Sequence, residues 1–340
     1  MTILYLGSDQ PGAGKTAFGI TLVDIFRNRG ISATILKPLT STINPADDLD
    51  PRAFETLLSQ ETQEDPTAIE NSVTDSVLEN CAAAVNETAR EFDVLVVEGP
   101  SRMSAQDTKK IVTALDAKAV LVAHFEPNMT VDTLADYRNI LGETLLGVIV
   151  NGLTEYQTTI PVNNLLDALA AIQIKSLGFI PEDRTLLGLT VPQIVKIVAG
   201  KFIYGEEFAT GLVKHILVGG LGLDNGVSYF GLKGNKATVV RGDRPDIQMA
   251  ALKTPTTCMI LTKGIEPIEY VINEAEVEEI PLILTKSNTL DVMEAFGSAV
   301  NMARFDHPAK LARFEELVSQ NIDLEGITIG LGLSTQGQIN

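Results

Sequence analysis

Short apolar runs alternate with amphipathic stretches through the first part of the chain, up to about residue 205. Runs such as VLVVEG, VLVAH and LLGVIVNG are continuously hydrophobic, as strands are when helices cover both faces of a parallel sheet. The pattern therefore predicts βαβ units and an α/β fold with a doubly wound, mostly parallel sheet. The predicted strands are Ile3–Leu6, Ala33–Leu36, Val94–Val97, Val120–Ala123, Leu146–Val150 and Lys175–Phe179; the predicted helices are Lys15–Asn28, Ala68–Glu91, Ala105–Leu115 and Val131–Leu141.

The alternation is interrupted between Lys37 and Pro66 by a polar segment that is long for a connection in an α/β fold, and such loops are often functional. A second periodic block of α/β character starts near His215. It comprises a strand at His215–Val218 and further segments at 225–230, 237–240, 246–252, 258–261 and 282–284. We therefore predict a first α/β domain at 1–205, a smaller α/β domain at 206–315 and a C-terminal tail at 316–340, whose last residues we expect to be frayed.

Composition narrows the function classes. The chain has 44 acidic and 26 basic residues and a formal charge of -18, so its average surface repels nucleic-acid phosphates and anionic lipid heads. We expect neither nucleic acid nor a membrane as a partner. No apolar run approaches the roughly 20 residues that span a bilayer, and the N-terminus lacks a signal peptide, so we expect a soluble, cytoplasmic protein. Cys81 and Cys258 are interpreted as reduced core residues.

The strongest chemical motif is GSDQPGAGKT, Gly7 to Thr16, between a predicted strand and a predicted helix. Glycines allow backbone N–H groups to surround phosphate oxygens, and the helix N-terminus adds partial positive charge. Lys15 would reach the β- and γ-phosphates and the Thr16 hydroxyl would bind Mg²⁺. Six residues separate Gly7 from Gly14, where the common pattern has four, so the motif is a variant. A glycine turn that only caps a helix is rejected because strand, loop and GKT occur together.

Acidic and basic side chains near the same predicted sheet edge extend this picture. Glu98 ends the VLVVEG strand at the edge where open α/β sheets bind ligands, so it is either a metal ligand or a solvated glutamate. Lys37, at the end of the second strand, is either functional or an exposed loop lysine. The aspartates of the following loop either add metal ligands or solvate it, and solvation is favoured; they are Asp47, Asp48 and Asp50.

Five segments in this order resemble a known family: GSDQPGAGKT, LKP, VVEG, GVIVNG and GFIP. They are similar to the dethiobiotin synthetase group of P-loop proteins, and more closely to the dethiobiotin-synthetase-like N-terminal domain of long phosphotransacetylases. The resemblance covers about residues 1–205. Over about residues 215–315, VGGLGLDNGVSYF, GDRPDIQMAAL and CMILTKGIEP resemble the DRTGG domain that follows in those proteins. The acetyl-transferring domain has no counterpart here, so the chain is not expected to be a complete phosphotransacetylase.

The resemblance implies ATP and Mg²⁺ as ligands and assigns roles to individual residues. Catalytic roles fall to Lys15 and to Lys37, which matches a lysine that engages the substrate carbamate. Asn151 would face the adenine edge with its donor and acceptor. The implied nucleotide-binding residues are Gly12, Ala13, Gly14, Lys15, Thr16, Ala17, Asn151 and Pro181, and the implied metal-binding residues are Thr16, Asp9 and Glu98. VVEGPSR replaces the VEGAGG run of the synthetases, which argues against their biotin-pathway substrate.

In the second domain the most marked cluster is GDRPD, where a strand gives way to a helix. Its interpretation as a ligand site rests on Gly242, Asp243, Arg244 and Asp246, with Gln248 close by. Glycine permits a tight turn, aspartate can cap the helix and arginine can bind an anion. The alternative is that GDRPD only begins a helix.

Three functions remain open from the sequence. The first is a regulatory or metabolite-sensing protein that binds Mg-ATP and hydrolyses it slowly, with a small metabolite or a partner enzyme at the second domain. The second is an ATP-dependent ligase or carboxylase that phosphorylates a carboxylate or carbamate. The third is a scaffold whose P-loop only stabilises the fold. We also expect a homo-oligomer.

Overall fold

A computed structural model describes residues 1–8, 10–42, 44–61, 63–69, 72–101, 103–126, 129–154, 160–220, 226–299 and 302–333, with the side chains of 160 and 161 excepted. The chain forms two compact units. The first consists of Met1–Glu182 together with Lys310–Asn340, and the second consists of Asp183–Ala309. Within the described residues, no helix is both long and apolar enough to cross a membrane.

The first unit is built on a six-stranded parallel sheet with the order β2-β5-β1-β6-β7-β8. Its strands, with the short pair β3 and β4, are β1 (Thr2–Gly7), β2 (Ala33–Leu36), β3 (Leu39–Thr40), β4 (Thr67–Ala68), β5 (Val94–Glu98), β6 (Lys118–His124), β7 (Leu145–Leu153) and β8 (Ser176–Pro181). All six strands predicted from continuous hydrophobic runs are present in the main sheet. Because β1 lies between β5 and β6, the strand order reverses at its carboxyl end, the place where doubly wound sheets bind ligands.

Helices cover this sheet and account for its hydrophobic strands. They are α1 (Lys15–Asn28), α2 (Asp50–Leu58), α3 (Asp75–Ala89), α4 (Ala105–Ala114), α5 (Asp132–Leu141) and α6 (Ile160–Ala171). The predicted helix at Ala68–Glu91 begins only at Asp75, because the Thr74 side chain accepts a hydrogen bond from Val77 N and caps the helix there. The polar segment after Lys37 contains α2, which the sequence analysis did not predict.

The second unit has a five-stranded sheet with the order β10-β15-β14-β13-β12, in which β10 is antiparallel to β15 and the other pairs are parallel. Its strands, including the small antiparallel pair β9 and β11, are β9 (Leu189–Thr190), β10 (Lys201–Tyr204), β11 (Leu212–Val213), β12 (His215–Gly219), β13 (Lys236–Arg241), β14 (Thr256–Thr262) and β15 (Leu282–Leu284). Its helices are α7 (Val191–Ile197), α8 (Gly226–Gly231), α9 (Pro245–Leu252), α10 (Glu269–Val277) and α11 (Thr289–Ser298). Helices α8, α9 and α10 contribute to one apolar cluster and α7 and α11 to another.

The division between the units differs from the predicted boundary at residue 205. Residues 183–205 belong to the second unit because β10 pairs with β15. The predicted tail is also structured, since α12 (Pro308–Asn321) and α13 (Leu324–Gly330) follow the second unit and the chain rejoins the first from Lys310. There, Ile322 forms an antiparallel bridge with Gly178 of β8. The expected fraying concerns positions 333–340, of which 334–340 lie outside the described residues.

Candidate nucleotide-binding site

The glycine loop joins the carboxyl end of β1 to the first turn of α1, as the motif predicts. Gly12 and Gly14 have φ angles of +73° and +98°, in the left-handed region that glycine adopts without steric cost. Gly14 is the residue before α1 and forms no side-chain cap, and the first turn that follows it contains Lys15, Thr16 and Ala17. Such a helix N-terminus is suited to phosphate oxygens.

Asn151 meets the glycine loop from the carboxyl end of β7. Its Nδ2 donates to the Ala13 carbonyl oxygen at 3.0 Å, and a Cβ on Gly14 would lie only 2.4 Å from that Nδ2. The amide nitrogen therefore holds the loop backbone. Pro181 ends β8 and is in register with Leu153 of β7, which places it at the same edge of the sheet.

The Lys15 amino group lies between two loops. Its Nζ donates to Ser8 Oγ at 2.7 Å and to Ser101 Oγ at 3.2 Å. Ser8 follows β1, whereas Ser101 follows β5, which is the neighbouring strand. Lys15 is 5% exposed, so its charge is held at the strand ends rather than in solvent. Ser101 was not among the residues proposed from the sequence, because nothing in the motif itself links position 101 to Lys15.

Glu98 is brought to the glycine loop by strand register, since it pairs with Leu6 of β1. Thr16 Oγ1 donates to Glu98 Oε1 at 2.9 Å. The second oxygen, Oε2, is buried and accepts no hydrogen bond within the described part of the chain. Burial and the nearby Asp50 carboxylate raise the pKa of Glu98 to about 8, against the lowering effects of Lys37, Lys15 and the Thr16 hydrogen bond. A buried carboxylate oxygen without a donor is energetically costly, and a cation would satisfy it.

These residues fit a magnesium ion that is also bound by nucleotide phosphates. The Thr16 hydroxyl and the orphaned Glu98 oxygen are both hard oxygen donors, which Mg²⁺ prefers. Among the described residues no group of three or more His, Cys, Asp and Glu side chains is arranged to hold a metal alone. Phosphate and water oxygens would therefore complete the coordination, as is usual for Mg²⁺. Asp9, the third proposed ligand, lies outside the described residues.

Lys37 is buried in a cluster of carboxylates. Its Nζ lies 2.8 Å from Asp48 Oδ2 and 3.8 Å from Glu98 Oε1, and it also donates to Asp50. Burial disfavours its charge, but Glu98 and Asp50 outweigh this effect and raise the pKa of Lys37. Burial also acts on Asp48, yet hydrogen bonds from Lys37 and Thr40 keep the pKa of Asp48 below its ordinary value. These contacts contradict two of the alternatives left open by the sequence. Lys37 is not an exposed loop lysine, and Asp48 does more than solvate its loop.

Two family models match this chain. A model described as "AAA domain" matches residues 3–188, which is more than half of the 340 residues, and a model described as "DRTGG domain" matches residues 193–299. The chain belongs to this AAA-domain family and carries a DRTGG domain behind it. The predicted resemblance to dethiobiotin-synthetase-like P-loop proteins with a DRTGG domain is confirmed.

The solved structures that match this chain are distant from it in sequence and match only part of it. The CBS and DRTGG domains of the regulatory region of Clostridium perfringens pyrophosphatase match at 16% identity and TM-score 0.29, over 46% of this chain and 74% of that one. Cell division protein ftsY from Thermotoga maritima matches at 16% identity and TM-score 0.37, over 53% of this chain and 62% of that one. The MinC:MinD complex from Aquifex aeolicus matches at 17% identity and TM-score 0.37, over 55% of this chain and 84% of that one. The match therefore spans less than two thirds of the ftsY chain.

In the DRTGG domain, the GDRPD cluster joins β13 to α9. Gly242 is in close contact with the next loop, since a Cβ would lie 1.9 Å from the Ile265 carbonyl oxygen. Asp243 does not cap α9, because its carboxylate accepts two hydrogen bonds from Arg241. Arg244 donates to both carboxylate oxygens of Asp246, at 3.0 and 2.8 Å. The charged side chains of the cluster are therefore paired locally, Asp243 with Arg241 of β13 and Arg244 with Asp246.

In the AAA-domain unit, the carboxyl edge of the parallel sheet also has a cavity that the sequence analysis did not predict. It has a volume of about 500 Å³ and lies beyond the carboxyl end of β6. Its lining residues are Phe125, Glu126, Met129, Thr130, Val131, Asp132, Asn164, Leu165 and Ala168. No motif identifies them, because they come from the connection between β6 and α5, from the start of α5 and from α6, which only folding brings together.

Proposed function

We propose that this P-loop protein binds Mg-ATP at the glycine loop and serves as a regulatory or metabolite-sensing protein with slow ATP hydrolysis. The observation that carries the proposal is the convergence of Lys15, Thr16 and Glu98 at the carboxyl ends of β1 and β5. Lys15 would bind the β- and γ-phosphates, and Thr16 and Glu98 would hold Mg²⁺. Mg²⁺ supplies charge neutralisation to the phosphates, while these side chains fix where it is held.

Slow hydrolysis is proposed because, within the described part of the chain, the carboxylates beside the glycine loop are already engaged and none is available as a general base. Asp48 and Asp50 both bind Lys37, and Glu98 is assigned to the metal. Without a positioned base or second substrate, the attacking water is poorly oriented, and orientation can account for several kcal/mol of the barrier. Phosphate release by the purified protein should therefore be slow, and should change when metabolite mixtures or a partner enzyme are added.

The alternative, an ATP-dependent ligase or carboxylase, requires Lys37 to engage a carboxylate or carbamate. Its contacts with Asp48 and Asp50 weigh against this role, because an incoming anion would have to compete with two carboxylates for one ammonium group. What favours the alternative is the 500 Å³ cavity at the same sheet edge, which can accommodate a small second substrate. Metabolite-dependent ADP formation with a phosphorylated or ligated product would support the ligase.

Calorimetric titration with Mg-ATP tests the nucleotide site. We expect Lys15→Ala to weaken binding about tenfold or more, since a hydrogen bond to a charged group contributes about 1.5–3 kcal/mol. The matched control is Lys110→Ala on α4, whose lysine is bonded to Asp107 and is 49% exposed. Equal binding by the wild type and Lys15→Ala would refute the assignment.

Magnesium dependence tests the metal ligands separately. In wild type, removing Mg²⁺ with EDTA should weaken ATP binding. In Glu98→Gln and in Thr16→Ala this loss should be smaller, because each variant lacks one metal ligand from the start. A magnesium effect of the same size in all three proteins would exclude Glu98 and Thr16 as ligands.

For the DRTGG domain we propose that Gly242, Asp243, Arg244 and Asp246 form the ligand site. Arg244 makes a bidentate pair with Asp246, so an anion would have to displace the Asp246 carboxylate. Anion binding and rearrangement of this ion pair would therefore occur together. Replacing Asp243 and Arg244 by Ala should alter the response of ATP turnover to metabolites, while leaving Mg-ATP affinity within about twofold. An unchanged metabolite response would exclude this cluster.

A further inference from the structure

The Ser101 hydroxyl has spare hydrogen-bonding capacity beside Lys15. Ser8 Oγ donates its hydrogen to the Gln10 carbonyl oxygen at 2.9 Å and accepts from Lys15. Ser101 Oγ likewise accepts from Lys15, but its own hydrogen is donated to no atom within the described residues. A hydroxyl has one donor hydrogen. An O–H donor and an ammonium group therefore adjoin each other at the carboxyl end of β5, a combination suited to an anionic oxygen.

The loop that carries Ser101 is fixed on both sides. Before it, a Cβ on Gly99 would lie only 2.0 Å from the Tyr5 hydroxyl oxygen, so the backbone is in tight contact with β1. After it, Met103 is held twice: its sulfur accepts from Tyr5 Oη at 3.6 Å, and its carbonyl oxygen accepts from Tyr137 Oη at 2.5 Å. Ser101 is thereby kept next to Lys15 by contacts that do not involve a ligand.

We propose that Ser101 donates a hydrogen bond to the terminal phosphate of a bound nucleoside triphosphate and so distinguishes it from a diphosphate. This inference rests on the proposed function, binding of Mg-ATP at the glycine loop. A P-loop lysine reaches the β- and γ-phosphates, whereas the glycine loop itself cradles the α- and β-phosphates. Ser101 approaches Lys15 from β5 and not from that loop. A diphosphate lacks the terminal phosphate to which Ser101 would donate.

Ser101→Ala tests this role through the difference between two ligands. Titrations use Mg-ADP and the non-hydrolysable triphosphate analogue Mg-AMPPNP. We expect affinity for AMPPNP to fall about tenfold or more, as for one hydrogen bond to a charged acceptor, and affinity for ADP to change less than twofold. Ser101→Thr keeps the hydroxyl and should keep the discrimination, so it separates the loss of the donor from a general disturbance of the loop.

Ser104→Ala is the matched control. Ser104 lies in the same loop, but its hydroxyl accepts from Asp107 N and caps α4. This variant should lower stability without changing the ratio of AMPPNP to ADP affinity. An equal loss for both nucleotides in Ser101→Ala, or no loss, would overturn the role of Ser101 while leaving the glycine-loop site in place. Absence of nucleotide binding by wild type, or full binding by Lys15→Ala, would instead remove the proposed function and this inference with it.

Discussion

Two alternative roles in the nucleotide site can be distinguished for Asn151. The family resemblance implies that Asn151 faces the adenine edge. In the structure its Nδ2 donates to the Ala13 carbonyl oxygen and lies against Gly14. A residue that reads the base affects adenine nucleotides selectively. A residue that shapes the glycine loop affects every nucleotide, because the loop binds phosphates, which all nucleotides share.

We therefore predict that Asn151→Ala weakens Mg-ATP and Mg-GTP binding by similar factors, about three- to tenfold. Loss of one hydrogen bond of about 1 kcal/mol, with relaxation of the loop, sets this range. Competition titrations with both nucleotides measure the two factors. Asn163→Ala, an exposed asparagine on α6, is the control and should change neither. A loss confined to ATP would favour the base-reading role.

Lys236 is a buried lysine whose hydrogen bonds go to neutral acceptors. It is fully buried in β13 and donates to Thr254 Oγ1 at 3.0 Å and to the Pro255 carbonyl oxygen at 2.7 Å, just after the end of α9. Burial lowers the pKa of Lys236 to about 8, from an ordinary value of 10.5. Between these values the unfolded chain binds more protons than the folded chain, so folding becomes more favourable as pH rises.

The direction of this pH dependence can be tested. The free energy of unfolding of wild type relative to Lys236→Met should increase between pH 7.5 and pH 10, by about 1 kcal/mol or more, since each pKa unit corresponds to roughly 1.4 kcal/mol. Urea unfolding of both proteins across this range measures the difference, in which groups common to both cancel. A difference that stays flat or falls with pH would show that Lys236 keeps an ordinary pKa.

At the scale of elements, the sequence predicted those strands and helices that a local pattern of residues determines. The six buried strands were recognisable because their V/I/L runs are continuous, and α1 because a glycine loop precedes it. Helix α2 was missed because it starts at Asp50 within an acidic loop segment. The contact of Asp50 with Lys37 was unpredictable for a different reason: it depends on how that segment folds back over β2, which no local pattern encodes.

Gly99, which follows β5, approaches Tyr5 of β1 so closely that a side chain there would not fit. Gly99→Ala places a methyl group 2.0 Å from the Tyr5 hydroxyl oxygen, so Tyr5 or the backbone must move. We expect a loss of about 1–3 kcal/mol in unfolding free energy, the usual cost of overpacking. Urea unfolding measures it. The control is Gly297→Ala in α11, whose added Cβ meets no described atom within 4 Å apart from the backbone of its own helix. It should be neutral or stabilising by up to about 1 kcal/mol. Equal effects of the two substitutions would contradict this account.

At the scale of the whole chain, the AAA-domain and DRTGG organisation was predicted, whereas the discontinuous first unit was not. Periodicity identifies elements in order along the chain, but the return of residues after Lys310 to the first unit depends on contacts remote in sequence. Asp323 N donates to the Leu177 carbonyl oxygen at 2.7 Å, and Lys175 forms an ion pair with Asp323. Neither partner carries a motif. The exposed ion pair adds little, so the backbone contacts matter more.

Truncation after Ala309 should therefore destabilise the first unit selectively. Strand β8 would lose its bridge at Gly178 and the helices that follow, leaving its backbone groups open to water. We expect amide hydrogen exchange in β8 to accelerate more than tenfold, while β14, inside the second unit, exchanges as in the full chain. Truncation after Leu333 removes only the last residues and is the control, which should leave both strands unchanged. Unaltered exchange in β8 after the first truncation, or equal acceleration in β14, would show that the C-terminal helices do not serve the first unit specifically.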